Sequence, residues 1–248
     1  MNELKRRLSA GAVIGAIQVL PCAGVTEVLA AAGLDMLMLD LEHGQAGMTE
    51  VLHQLRALQG TGVPALVRVP GRDMVLANRL QDAGVDSLLF PAVESAEDAR
   101  NLVRACRYPP AGTRGAGGGL RATRYDRDLD YYSNANEKML VAVQIETARG
   151  VDAAPDICQV EGIDLVVIGP RDLSASVGKL GQFEDSEVAA LVEQAERAVH
   201  DAGVAMGSTI YPGRTAAEMI ARGHRLLLAG SDVGLLGRAA RTLCELPR

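Results

Sequence analysis

The chain has no tryptophan, two phenylalanines and five tyrosines in 248 residues, so aromatics make up only 3%. Proteins that hold single-stranded nucleic acid stack bases on aromatic faces, and few such platforms exist here. Basic blocks are missing too: 25 Lys and Arg stand against 31 Asp and Glu, a net charge of −6. A chain without a basic stripe offers the phosphate backbone little purchase, which excludes nucleic acid as an expected partner. Cysteine is sparse and scattered, at Cys22, Cys106, Cys158 and Cys244, with no CxxC pair. That is neither a disulfide framework nor a zinc site, and it fits a reducing cytoplasm. No stretch reaches the ~18 apolar residues that a membrane-spanning helix needs, so no membrane partner is expected. Lys5-Arg6-Arg7 followed by AGAVIGAIQVL imitates a signal peptide, but the apolar run reads as a first strand after a short helix.

Aliphatic bulk and glycine are plentiful: 48% of residues are hydrophobic and 27 are glycine. A phrase recurs in which a helical segment ends in glycine and a short apolar run follows. It stands at Ala32-Gly33-Leu34-Asp35, Thr61-Gly62-Val63-Pro64, Ala83-Gly84-Val85-Asp86, Glu161-Gly162-Ile163-Asp164, Ala202-Gly203-Val204-Ala205 and Arg222-Gly223-His224-Arg225. Glycine just past a helix end takes the left-handed conformation, so each run after it is a candidate strand. The strands read Ala12–Val19, Asp35–Asp40, Ala65–Val69, Ser87–Phe90, Met139–Glu146, Asp164–Gly169, Val204–Ile210 and Leu226–Gly230. Eight strands alternating with helices predict a single (β/α)8 TIM barrel over residues 1–248; an open doubly wound sheet is the rival.

The spacing breaks once, between Phe90 and Met139, where a helix (Ser95–Cys106), a Pro109-Pro110 corner and a glycine-rich run (Gly112–Leu120) intervene. Because this insertion, residues 110–138, follows strand 4, it is expected as a lid over the barrel mouth. Backbone N–H groups of Gly115–Gly119 cradling a phosphate are the alternative.

Catalytic groups in this fold sit at the C-terminal ends of strands. Strand 2 ends in Asp40, Glu42 and His43, strand 3 in Arg68, strand 5 in Gln144 and Glu146, and strand 6 in Gly169-Pro170-Arg171-Asp172. A right-handed crossover over Thr147–Gly162, one helix and two turns, makes strands 5 and 6 parallel, so Glu146 and Asp172 emerge on one rim. Two hard oxygen donors there suit a divalent metal such as Mg2+ or Mn2+, or they are simply helix N-caps. Arg68 inside an apolar strand needs a partner, Glu42 or Glu146, and Asp40 is a candidate cap for the next helix. A histidine, an arginine and two carboxylates on one rim are what metal-assisted proton chemistry beside a carbonyl requires. No strand end carries a lysine, Lys179 lying in a loop, which argues against Schiff-base chemistry.

Five motifs, in order, carry a resemblance over nearly the whole chain: DLEHG at Asp40–Gly44, VRVP at Val67–Pro70, RYPPAGTRGAG at Arg107–Gly117, VQIET at Val143–Thr147 and EGIDLVVIGPRDLSAS at Glu161–Ser176. The chain resembles the HpcH/HpaI metal-dependent (class II) pyruvate aldolases. The resemblance implies that 4-hydroxy-2-oxo acids are cleaved to pyruvate and an aldehyde through a metal-bound pyruvate enolate. By the same resemblance, Glu146 and Asp172 hold the divalent metal (Mg2+, Mn2+ or Co2+), His43 moves the proton, and Arg68 stabilises the enolate oxygen. Gln144 then contacts substrate, and the backbone around Arg171 and Asp172 receives the pyruvate carboxylate. An aspartate that sharpens the basicity of His43 falls on Asp82, which topology puts at the wrong end of its own barrel. Either Asp82 acts from another subunit or Asp40 does that work. The family's last helix is exchanged between subunits of a hexamer, and Ser231–Arg248 has a matching broad apolar face: Val233, Leu235, Leu236, Ala239, Ala240, Leu243 and Leu246.

Two positions depart from the family. Arg171 stands where a small residue, Ala or Asn, is usual, and either greets an acidic aldehyde or occludes the site. Ile17 stands where an aromatic is usual. Oxaloacetate decarboxylation through the same enolate, and a catalytically silent ligand-binding barrel, are the competing functions.

Overall fold

The strands alternate one residue inward and one outward, and every inward position from β1 to β8 meets its counterparts across a closed ring. In the computed structural model, which describes residues 2–246, these strands are β1 (Val13–Gln18), β2 (Met36–Asp40), β3 (Ala65–Arg68), β4 (Ser87–Phe90), β5 (Leu140–Ile145), β6 (Leu165–Ile168), β7 (Ala205–Thr209) and β8 (His224–Ser231). All pair in parallel, in sequence order, and β8 closes on β1. Among the helices, α1 (Glu3–Ala10), α2 (Ala23–Ala31), α3 (Met48–Ala57), α4 (Met74–Asp82) and α5 (Ala96–Ala105) precede the insertion. Then come α6 (Tyr131–Lys138), α7 (Ala148–Asp152), α8 (Ala154–Cys158), α9 (Pro170–Ser176), α10 (Ser186–Ala202), α11 (Ala216–Ala221) and α12 (Asp232–Cys244). The closed barrel is the expected one, and the open sheet is excluded.

Why the chain chooses this closure is visible in its glycines and its alternation. All six glycines of the recurring phrase have positive φ, from 69° at Gly203 to 97° at Gly84, a region that side-chain-bearing residues rarely enter. Met36, Met38, Leu66, Leu89, Leu140, Ala142, Leu165, Val167, Leu226 and Leu228 fill the lumen. The residues between them, such as Leu37, Leu39, Leu88, Phe90, Val141, Val143 and Ile168, form the layer under the helices. Leu4 and Leu8 of α1 join the lumen cluster and close its N-terminal end. Asn2 fixes that plug through Nδ2, which donates to Asp86 O (2.8 Å) and Ser87 Oγ (2.9 Å).

Three expectations change. The β5–β6 crossover holds two short helices, α7 and α8, because Pro155 in the first turn of α8 supplies no N–H to continue α7. The insertion does not cover this chain's own mouth. It begins only after α5 has carried the chain back to the N-terminal face, and it packs there. Ala122 N donates to Asp82 O (3.0 Å), Arg121 Nη1 to Ala83 O (2.6 Å) and Arg107 Nη1 to Met139 O (3.0 Å). Nor is its glycine run an open cradle, since Gly119 N is already bonded to the Asp126 carboxylate at 2.8 and 2.9 Å.

The last helix is tethered rather than packed. Asp232 accepts from the N–H groups of Val19 (3.0 Å) and Leu20 (2.9 Å), pinning the start of α12 to the end of β1. Beyond it nothing in α12 is buried, and Leu236 and Leu243 are 63% and 69% exposed. Residues 247–248 of the closing segment lie outside the described residues. Among the described residues, no helix is long and apolar enough to cross a membrane.

Candidate active site

Parallel pairing sets Asp40 of β2 beside Arg68 of β3, both facing inward at the C-terminal end of the lumen. A guanidinium buried to 7% exposure needs a fixed counter-charge, and Asp40, 2% exposed, supplies it in the two-bond fork geometry. Arg68 Nε donates to Asp40 Oδ1 (2.9 Å) and Nη2 to Oδ2 (2.6 Å). Burial pushes the Asp40 carboxyl up, but the bond and charge of Arg68, helped by two backbone N–H groups, outweigh it and hold the carboxyl below its ordinary range. Those N–H groups belong to His43 (3.3 Å) and Glu42 (3.1 Å), so Asp40 also shapes the loop carrying both. The loop turns back so tightly that a Cβ on Gly44 would lie 2.0 Å from Asp40 O. The helix after this strand is instead capped at Gly47, so Asp40 is the arginine clamp and not a helix cap.

Three further carboxylates share one space above this pair. Glu42 Oε2 lies 3.1 Å from Arg68 Nη1, yet that buried oxygen accepts no hydrogen bond. Burial raises the Glu42 carboxyl, with Asp40 and Asp172 adding to the rise against Arg68 and His43. Glu146, just past β5, accepts from Ala92 N (2.7 Å) and from Gln144 Nε2. Burial raises it as well, Asp172 and Glu42 adding to the rise while those two hydrogen bonds oppose it. Asp172 lies in the first turn of α9. Neither acid is an N-cap, for Thr147 caps α7 and Gly169 stands at the cap of α9. Gly169 is required for a different reason: a Cβ there would sit 2.8 Å from Glu146 Cβ and 2.9 Å from its Oε2. Glu42 and Glu146 are thus raised chiefly by burial, and the charge of Asp172 adds to both.

The cavity at this mouth has a volume of about 380 Å³. Asp40, His43, Arg68, Gln144, Arg171 and Asp172 line it, so six of the seven expected site residues either form its wall or, like Glu146, stand directly behind it. His43 is exposed on the rim, 3.9 Å from Glu42. Ile17 is in the aliphatic part of the wall with Val19 and Leu228. Thr209 and Ser231 add hydroxyls that sequence reasoning overlooked, although both stand at strand ends on the same rim. Asp82 is not brought here. It ends α4 on the N-terminal face, where Arg114 Nη2 donates to it at 2.9 Å, and Arg114 lies over the Tyr108 ring. A wider groove of about 600 Å³ on that face, lined by Lys5, Asp164, His200 and Arg225, has no buried carboxylate among these groups; Lys5 and Asp164 are already paired at 2.8 Å.

Removing one member of a buried ion pair strands the other. Asp40→Asn is expected to cost about 3–5 kcal/mol, and pairing Asp40→Leu with Arg68→Met to recover most of that. Because the folded carboxyl titrates below the unfolded one, its contribution is present above the ordinary carboxylate pKa and fades as pH falls through the lower folded value. Urea midpoints at neutral pH would show it; a loss under about 1 kcal/mol for Asp40→Asn would mean that Arg68 is held by something else.

The model of the HpcH/HpaI aldolase/citrate lyase family matches residues 22–239. A 4-hydroxy-2-oxo-heptane-1,7-dioate aldolase from Shigella sonnei (strain Ss046) is 42% identical over 244 residues, 98% of this chain and 93% of that protein. A hydroxypyruvate/pyruvate aldolase from Roseovarius nubinhibens (strain ATCC BAA-591 / DSM 15170 / ISM) is 41% identical over 217 residues, 87% of this chain and 84% of that one. Among solved structures, a HpcH/HpaI aldolase/citrate lyase family protein from Burkholderia cenocepacia J2315 matches with a TM-score of 0.92 at 38% identity, covering 99% of this chain and 98% of its own. The likeness covers nearly the whole chain, and the chain belongs to the HpcH/HpaI aldolase/citrate lyase family.

Proposed function

We propose that this chain is a carbon–carbon lyase of the pyruvate aldolase type, which cleaves or forms 4-hydroxy-2-oxo acids by way of a pyruvate enolate, with the help of a divalent cation. The observation that carries this reading is the gathering of Glu42, Glu146 and Asp172 about one mouth cavity that holds a single buried guanidinium, Arg68. Such a site is completed by a cation. Among the described residues no group of three or more His, Cys, Asp or Glu forms a ready metal cage. The hard oxygens of Glu146 and Asp172 suit an ion such as Mg2+, Mn2+ or Co2+, which would be content with two protein oxygens and take its other donors from water and substrate. When bound, the cation polarises the keto group of the substrate and offsets the charge that develops on it.

The chain's own groups do the rest. Arg68, unable to turn because Asp40 grips it from one side, presents a fixed positive charge to the developing enolate oxygen. His43 takes the 4-hydroxyl proton in cleavage, or a pyruvate methyl proton in the reverse direction, and exchanges it with solvent at the rim. Gln144, anchored on Glu146, contacts the substrate, and the backbone around Arg171 and Asp172 receives the pyruvate carboxylate. Free cysteines, two of them buried (Cys106 and Cys158), agree with work in the reducing cytoplasm.

Assembly belongs to the same proposal. An apolar face as exposed as that of α12 is costly in water, and we read it as one half of a helix exchange between subunits of a homohexamer. Asp82, remote from His43 within one barrel, would then act on the histidine of a neighbour.

Excess chelator should abolish aldol cleavage, and added Mn2+, Co2+ or Mg2+ should restore it, while Glu146→Ala should fold normally and fail to bind metal. Full activity in the presence of chelator would sink the cation's role.

For His43→Ala, the expected loss in aldol cleavage and pyruvate methyl-proton exchange is about 10²–10⁴-fold, with metal affinity nearly intact. Oxaloacetate decarboxylation starts without a base and should survive better, so equal loss of both activities would make His43 structural.

Sedimentation of the full chain at micromolar concentration should show a hexamer, and deletion from Ser231 onward should give insoluble or inactive protein. An active, monodisperse monomer would refute both the exchange and the trans role of Asp82.

A further inference from the structure

Two arginines line the mouth cavity, and only one is satisfied. Arg68 spends its guanidinium on Asp40 and Glu42, at 2.6 and 3.1 Å. Arg171 is exposed in the first turn of α9, and no carboxylate of the described residues lies within 4.0 Å of its guanidinium. Its neighbour Asp172 is no exception, because successive residues on a helix point about 100° apart and do not face each other. Arg171 does not plug the site either: the cavity remains open at about 380 Å³, with Arg171 among the residues at its border. Of the two sequence-based alternatives for this position, occlusion is therefore excluded.

Apart from His43, assigned to proton transfer, the remaining wall has no other cationic side chain. Ile17, Val19 and Leu228 are aliphatic, and Thr209 and Ser231 offer neutral hydroxyls. The pyruvate half of the substrate, on the aldolase reading, lies inward against Arg68, Gln144, Glu146 and Asp172. The aldehyde half then points outward, past the exposed side chain of Arg171. We infer that Arg171 is a specificity-determining residue of the aldehyde side, selecting aldehydes that carry an anionic group, and this rests on the aldolase reading. Its planar fork matches the paired oxygens of a carboxylate or a phosphate. It takes no part in the bond-making step: it binds the far end of the aldehyde and sets how that end lies when the carbonyl carbon meets the enolate. Because the side chain is exposed, the preference is of modest size and weakens with salt.

The test is aldol addition of pyruvate to matched acceptors: a four-carbon aldehyde ending in carboxylate, the same aldehyde ending in amide, and one of similar length ending in phosphate. The wild-type enzyme should favour the anionic acceptors over the amide. Arg171→Leu should lower that preference by about 10-fold, through KM for the aldehyde more than through kcat, and Arg171→Lys should keep part of it. Whichever anion suffers the larger loss identifies the natural head group. The wild-type preference should also shrink between low and high ionic strength. An anion preference unchanged in Arg171→Leu, or a wild-type enzyme that favours the amide, would overturn the assignment. Exchange of the pyruvate methyl protons with deuterated water, measured without any aldehyde, separates the two failures. Exchange present with the preference unchanged defeats Arg171 alone, whereas no exchange in the metal-loaded wild type defeats the aldolase reading and this inference together.

Discussion

Arg68 can lie at the top of an aliphatic lumen because β2 and β3 pair in the one register that sets Asp40 against it. A slip of one residue would put Leu39 opposite and turn the guanidinium toward the helices, where no carboxylate waits. An unpaired charge at that depth is far more expensive than the pairing of two short strands can offset. The pair therefore fixes the strand register as much as the register places the pair. From it the mouth is built outward: Asp40 takes the N–H groups of Glu42 and His43, and Glu42 lies against the remaining guanidinium nitrogen. The position of His43 follows from a pair anchored three residues earlier, at Asp40.

Sequence alone made the barrel legible because its signals are local. Glycine after each helix demands a left-handed residue whatever the tertiary context, and apolar runs of strand length follow it. The strand ends naming Glu146, Asp172, His43 and Arg68 came from the same rule. Of the two expected partners of Arg68, Glu42 lies against it at 3.1 Å, but the main partner, Asp40, follows only from the register between two strands. The insertion follows β4 in sequence but not in space, because α5, ten residues long, first returns the chain to the opposite face. Pro155 breaks a segment whose length alone allows one helix.

The two ends of the barrel carry opposite electrostatic problems. At the mouth, carboxylates outnumber cations, and burial, with the charge of Asp172 adding to it, raises the carboxyls of Glu42 and Glu146. On the N-terminal face Arg114 is paired with Asp82 and Tyr131, and Lys5 with Asp164. Asp82 is thus held in place by a buried arginine rather than by the histidine the family resemblance assigns to it. No side-chain movement within one subunit spans the length of the barrel. If Asp82 acts on a histidine, a second chain must carry that histidine, and α12 is the exposed apolar element by which a second chain can be held.

The β6–α9 junction shows how four residues divide these duties. Gly169 leaves the space that Glu146 and Gln144 occupy, and any side chain there would push on both. Pro170 suits the first helical position, where its missing N–H costs nothing and its fixed φ starts the turn. Asp172 then contributes its charge to the group that already includes Glu146 and Glu42. Arg171, one residue earlier, is rotated away from that group by the helix itself. An acid and a cation adjacent in sequence are kept from neutralising each other by backbone geometry alone. The carboxylates of the mouth are therefore not neutralised by Arg171, and the rim keeps a free guanidinium.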